Sequence, residues 1–101
     1  MVELSVLAEL KQQHTKEGLV GNINLSNLHD GFYPRCVEYI SGIDCEAGKI
    51  LFASVKRMRL SKISRLVIAR VSVDDVDNLS PEEVLLYTAL SEKVESFWSE
   101  F

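Results

Sequence analysis

Acidic side chains are missing from one whole stretch of this chain. Between residues 47 and 73 there is no aspartate or glutamate, although Lys49, Lys56, Arg57, Arg59, Lys62, Arg65 and Arg70 all lie there. Glycine and proline are missing from Ile50 to Val73, so no residue type that ends a helix interrupts that segment. Two cysteines, Cys36 and Cys45, are too few for a disulfide scaffold. They read as reduced thiols, with Cys36 a small core hydrophobe, and a cytoplasmic protein is expected. No apolar run approaches the ~18 residues of a membrane-spanning helix. Met1-Val2-Glu3-Leu4 lacks the positive start of a secretory signal.

Catalytic signatures are missing as well. His14 and His29 stand far apart, with no cysteine or carboxylate at metal-ligand spacing. Gly18 and Gly21 are not followed by the Lys-Ser or Lys-Thr pair of a phosphate-binding loop. Apart from Ser26, three residues before His29, the serines have no histidine close by in sequence. Asp74-Asp75 and Glu82-Glu83 fit a solvated linker and a helix start better than acid–base chemistry. No enzyme, cofactor or metal site is expected.

The chain has 101 residues, room for one domain, and 47% of them are apolar. That share is slightly rich for a solitary domain. Either the core is tight or some apolar surface is meant for a neighbour. The net charge of −4 is segregated: the basic middle is followed by eight acids and one base, Lys93, after residue 73. Such asymmetry suits packing between oppositely charged elements, or a nucleic-acid-binding stretch flanked by acidic helices.

Four helices emerge from the apolar spacing. Val2, Val6 and Leu10, with Leu7 beside them, form a stripe that Gly18 and Gly21 end. Gly21 to Leu28 is polar and reads as a loop. A short second helix follows, with Asp30 as cap, Pro34 in its first turn, Gly42 at its close, and Phe32, Tyr33, Val37 and Ile40 as its apolar side. The third starts at Asp44 and Glu46 and runs from Ile50 to Val73, although the β-branched stretch from Leu66 also suits extended chain. Leu51, Val55 and Met58 share one side of it, Leu60, Val67 and Val71 lie nearly opposite, and Ile50 and Ile68 fall on a third. A helix apolar on several sides must be surrounded, so part of it is expected to meet another chain. The fourth begins with Ser80, Pro81 and Glu83 in capping-box order. Tyr87, Leu90, Val94, Phe97 and Phe101 follow at three- and four-residue steps, with Trp98 at the stripe's edge.

The run Arg57-Met58-Arg59-Leu60-Ser61-Lys62-Ile63 resembles the Arg-x-Arg-Leu-x-Lys-Ile signature on the long helix of GINS subunits, in the type whose helical domain comes first. Asn78-Leu79-Ser80-Pro81-Glu82-Glu83 is similar to that family's entry into its next helix, and Glu95-Ser96-Phe97 falls near its end. Leu28-His29-Asp30-Gly31-Phe32-Tyr33 is similar to its Leu-Pro-x-Asp-Phe-Tyr entry, with His29 in place of the proline and Gly31 in place of an acid.

The resemblance implies an all-α domain over residues 1–101: four helices, one long and central, packing into a multi-subunit helical assembly. It implies a non-catalytic scaffold in DNA replication, with the compact loops of archaeal members, that links the MCM helicase to its partners. Those partners are other GINS subunits, in a homotetramer or a two-plus-two heterotetramer, and a RecJ-like protein. The family's small β-rich second domain is expected to be absent, which puts recruitment of the RecJ-like protein in doubt. Leu51, Val55, Leu60, Ile63, Tyr87, Leu90, Val94, Phe97 and Trp98 are the expected subunit interface. Arg57, Arg59 and Lys62 are expected to set its register against acids such as Glu92 and Glu95. The alternative is a small helical module that binds nucleic acid through the basic third helix.

Overall fold

The structure is a computed structural model that describes residues 2–18, 24–42 and 46–101, with the side chains of 2–5 excepted. Among the described residues four helices lie in chain order: α1 (Val2–Glu17), α2 (Phe32–Gly42), α3 (Glu46–Ile68) and α4 (Pro81–Glu100). A single 3₁₀ turn, Val73–Asp75, sits between the last two. Among the described residues there is no strand, and no helix is long and apolar enough to cross a membrane. Expected caps Asp44 and Gly21 fall outside the described residues, as does Cys45.

Helix α3 is the axis of the molecule, with α1 and α4 as its principal neighbours. The α1 stripe packs inward as its spacing requires: Val6 and Leu10 are buried. The same stripe then continues three and four residues on as Gln13 and Glu17, both buried. On α3 the inward positions are Phe52, Val55, Arg59, Lys62, Ile63 and Val67. On α4 they begin with Glu83 and Tyr87. Helices α1, α3 and α4 therefore each contribute charged or amide side chains at one level of an otherwise apolar stripe.

Two apolar clusters result. One gathers Val6, Leu10, Phe32, Cys36, Tyr39, Phe52 and Val55. The other gathers Leu25, Ile63, Val67 and Tyr87, with Leu90 and Val94 packed against it. Helix α2 closes the first cluster through Phe32, Cys36 and Tyr39, while Val37, expected on its inner side, points outward. Gly31, at φ 70°, turns the chain into α2, and its carbonyl accepts the Arg35 amide.

Helix α3 ends at Ile68, earlier than the apolar run to Val73 suggested. The Arg70 amide donates to the Val67 carbonyl and the Val71 amide to the Leu66 carbonyl. This is the paired closure that ends a helix when the next residue turns left-handed. Arg70 takes that conformation, φ 63°, in a place where glycine is usual. The tail beyond it leaves the helix, and Tyr87 anchors it by donating its hydroxyl to the Val71 carbonyl at 2.6 Å.

Candidate functional site: a buried charge layer and the apolar faces around it

The two apolar clusters are bridged by a layer of charge. At its centre is Arg59, with no exposed surface. Its Nε and Nη2 donate to the two carboxylate oxygens of Glu83, each at 2.7 Å. Nη1 donates to Glu17 at 2.6 Å and to the Ser26 carbonyl at 2.8 Å. Nη2 also donates to the Asn78 carbonyl at 2.8 Å. A guanidinium has five N–H donors, and all five are used here.

Lys62, one turn further along α3, donates to the other Glu17 oxygen at 2.7 Å and to the Asn24 carbonyl at 2.9 Å. The Ser26 amide donates to Glu17 at 3.0 Å, and the Ser26 hydroxyl donates to the same carboxylate. Gln13 in turn donates to the Ser26 hydroxyl at 2.9 Å. Glu83 accepts from the Ser80 amide at 3.0 Å and from the Tyr33 hydroxyl at 2.6 Å. Two cations thus face two anions, and among the described residues no buried side-chain polar atom lacks a partner.

Electrostatics follow from that pairing. Burial alone would raise the carboxyls of Glu17 and Glu83. Against it stand Lys62, Ser26 and Arg59 at Glu17, and Arg59, Ser80 and Tyr33 at Glu83, and both groups are held below the usual carboxylate range. The Tyr33 phenol moves the other way, raised by burial and by the Glu83 carboxylate that accepts its proton's hydrogen bond. The Glu17 and Glu83 carboxylates and the Arg59 guanidinium stay charged near neutral pH.

Glu83 serves two structures at once. Ser80 caps α4, its hydroxyl accepting the Glu83 amide at 3.2 Å, and the Glu83 carboxylate returns the bond to the Ser80 amide. Pro81 occupies the first turn, where its missing N–H is harmless. The residue that completes the capping box is therefore also the ligand of Arg59.

The residues expected at a subunit interface divide into two groups. Val55, Arg59, Lys62, Ile63 and Tyr87 are buried within their own chain, so they offer a neighbour no surface. The expected pairing of Arg59 and Lys62 with Glu92 and Glu95 is replaced: their partners are Glu17 and Glu83, while Glu95 is held by Arg70 at 2.6–2.9 Å. Leu51, Leu90 and Val94 are half-buried, and Arg57, Leu60, Phe97 and Trp98 are exposed. Ile50, Ile68, Leu85 and Phe101 join them at the surface.

Beside the charge layer runs an apolar groove of about 400 Å³, lined chiefly by Tyr33 and Val37 of α2, Phe52, Leu60 and Ile63 of α3, and Leu86 of α4. Lys56 and Glu82 stand at its edge, and the Lys56 ammonium lies 4.4 Å from the Phe52 ring centre. Of the seven bases that suggested nucleic acid, two are enclosed and two more approach acids at the surface. Arg59 and Lys62 are buried, Arg70 holds Glu95, and Lys49 approaches Glu46 at 3.7 Å.

No family model, no curated protein and no solved structure matches this chain.

Proposed function

We propose that this chain is a non-catalytic scaffold subunit of a GINS-like replication complex. It assembles by packing exposed apolar helix faces against other subunits, and it links an MCM-type helicase to its partners. The observation that carries the reading is the Arg59–Glu83 pair. The two stretches that resemble the family, Arg57–Ile63 and Asn78–Glu83, lie far apart in sequence, and they meet in one buried bidentate ion pair. A motif whose residues lock two helices together serves architecture rather than chemistry. Arg59 and Lys62 therefore set the mutual register of α1, α3 and α4 within the chain, and the exposed residues Leu60, Phe97 and Trp98 are left for contact between chains.

Two measurements test this. Light scattering behind a sizing column should give a mass near four chains, about 46 kDa at 11.4 kDa each, either alone or after mixing with a companion subunit. The assembled form should then bind an MCM helicase and raise its unwinding rate. An assembly that neither binds nor stimulates the helicase would remove the replication assignment.

A further inference from the structure

The buried stripe of α4 does not stop where its own chain stops covering it. Glu83, Tyr87, Leu90 and Val94 face inward at three- and four-residue steps, and Phe97, Trp98 and Phe101 prolong that side of the helix. Nevertheless Phe97 is 62% exposed, Trp98 59% and Phe101 85%. The Phe97 and Phe101 rings rest on each other, centres 5.2 Å apart, and present one aromatic surface. The groove described above is open as well: Val37 and Leu60, 55% and 45% exposed, lie on its wall.

An aromatic knob and an apolar groove thus share one helix. Leu86 in the groove and Phe97 on the knob are eleven residues apart, about three turns at 3.6 residues per turn, so they project from nearly the same side of α4. They stand about 16 Å apart along the axis, which puts the groove beyond reach of its own knob. A second α4 laid antiparallel on the first, about a twofold axis that passes between Leu90 and Lys93, sets each Phe97 opposite the other chain's Leu86.

We infer that two copies of this chain pair through antiparallel α4 helices, each seating Phe97 and its neighbours in the Val37–Leu60–Leu86 groove of the other. Area selects a second copy over a lone partner peptide. An aromatic side chain carries roughly 150–250 Å², so the exposed parts of Phe97, Trp98 and Phe101 offer about 400 Å² and the groove a similar area; one knob in one groove removes on the order of 800 Å² from water, the size of a chance contact. The reciprocal exchange doubles this to about 1,600 Å², the size of a stable specific interface. Self-complementarity of this kind is what a twofold interface requires. The inference rests on the proposed function only in that the chain associates with itself.

The test uses the full chain in a Cys45→Ser background, where Cys36 is buried and its thiol is pushed up to about 12, away from reaction. Leu86→Cys and Phe97→Cys chains are mixed and treated with a short bismaleimide matched to the roughly 8–10 Å spacing of packed helices. Cross-linked dimer should form in the mixture and not in either variant alone, because like positions lie about 16 Å apart across the axis. In the unaltered chain, Trp98 emission should shift to longer wavelength on dilution, in step with loss of dimer mass. A monomer at every concentration overturns the inference in favour of a different subunit on the groove. An oligomer that cross-links equally in the single variants, or not at all, overturns the antiparallel pairing and leaves the scaffold reading standing. Helicase binding decides that reading separately.

Discussion

Arg59 and Glu83 meet through two parallel hydrogen bonds, both 2.7 Å long, in a place that water does not reach. The pair ties the middle of α3 to the first turn of α4, and through the same guanidinium Glu17 ties in the last turn of α1. Charge is an expensive way to join helices, since both ions must leave water. What it provides is exclusivity. A one-residue slip of α3 would strand Arg59 among apolar side chains and leave two buried carboxylates without a cation.

Truncating that cation should therefore be severe. Arg59→Met keeps the volume and removes all five donors, leaving Glu17 with only Lys62 as a charged partner and Glu83 with none. Breaking a buried pair in this way costs about 3–5 kcal/mol, a large fraction of the roughly 5–15 kcal/mol that holds a small domain folded. Urea unfolding followed by far-ultraviolet circular dichroism should show a much lower midpoint for R59M. Arg59→Glu should lose helix content outright, because it adds a third buried anion to two. A midpoint within ~1 kcal/mol of the native chain would mean that water enters the site.

Stability should also fall in acid. The carboxyls of Glu17 and Glu83 lie below the ordinary carboxylate value in the folded chain and return to about 4.3 when it unfolds. A depressed folded pKa means that the stabilisation is fully present above the unfolded value and is lost as pH falls through the folded one. Unfolding midpoints should thus be level in this respect between pH 6 and 8 and decline below about pH 4.5. Glu83→Gln should lower the midpoint at pH 7 and flatten the acid branch of the profile. An unchanged acid branch in E83Q would show that other carboxylates set it.

The end of α3 offers a contrast between strain and charge. Arg70 is left-handed at φ 63°, and its ion pair with Glu95 is half-exposed. An exposed pair contributes about 0–1 kcal/mol, whereas a Cβ in the left-handed region costs about 1–2 kcal/mol. Arg70→Ala gives up the pair and keeps the strain, and Arg70→Gly gives up both. After allowing for the greater freedom of glycine in the unfolded chain, R70G should be more stable than R70A by about 0.5–1 kcal/mol. R70A itself should lie within about 1 kcal/mol of the native chain. The order of the two midpoints in thermal unfolding decides the matter.

Much of this fold was legible in the spacing of apolar residues. All four helices were visible there, and so were the Ser80-Pro81-Glu83 start of α4 and the inward places of Val6 and Leu10, whereas Val55 and Tyr87, expected at a subunit interface, are buried within the chain. The charge layer was not. Gln13 and Glu17 continue the α1 stripe at the correct spacing, but a pattern read from apolar residues alone ends at Leu10. Arg59 and Lys62 likewise sit on the inward side of α3 beside Val55 and Ile63. Helical position, rather than residue type, was the signal that could have found them. Two partners of Arg59 are the backbone carbonyls of Ser26 and Asn78, which no side-chain pattern encodes. The early close of α3 was hidden for a related reason, because an arginine stands where glycine usually marks the turn.

The same layer bears on nucleic acid. Seven bases in the middle of the chain suggest a phosphate-binding helix, yet Arg59 and Lys62 are enclosed and Arg70 is occupied by Glu95. Lys49, Lys56, Arg57 and Arg65 remain at the surface of α3, spread over more than one side of it, and Lys49 shares its side with Glu46. A protein that neutralises Z phosphates loses affinity with a slope of about −0.9Z in logarithmic salt concentration. Four scattered cations, one of them beside Glu46, on a chain of net charge −4 supply only a shallow slope and weak binding. Titration of labelled duplex DNA at 50 and 200 mM salt should show no saturable binding at either concentration. Tight binding at the lower salt that collapses at the higher, and that disappears in an Arg57→Gln, Arg65→Gln double variant, would instead make α3 a nucleic-acid interface. Those two substitutions leave the buried layer intact, so any loss of binding would reflect the surface rather than the fold.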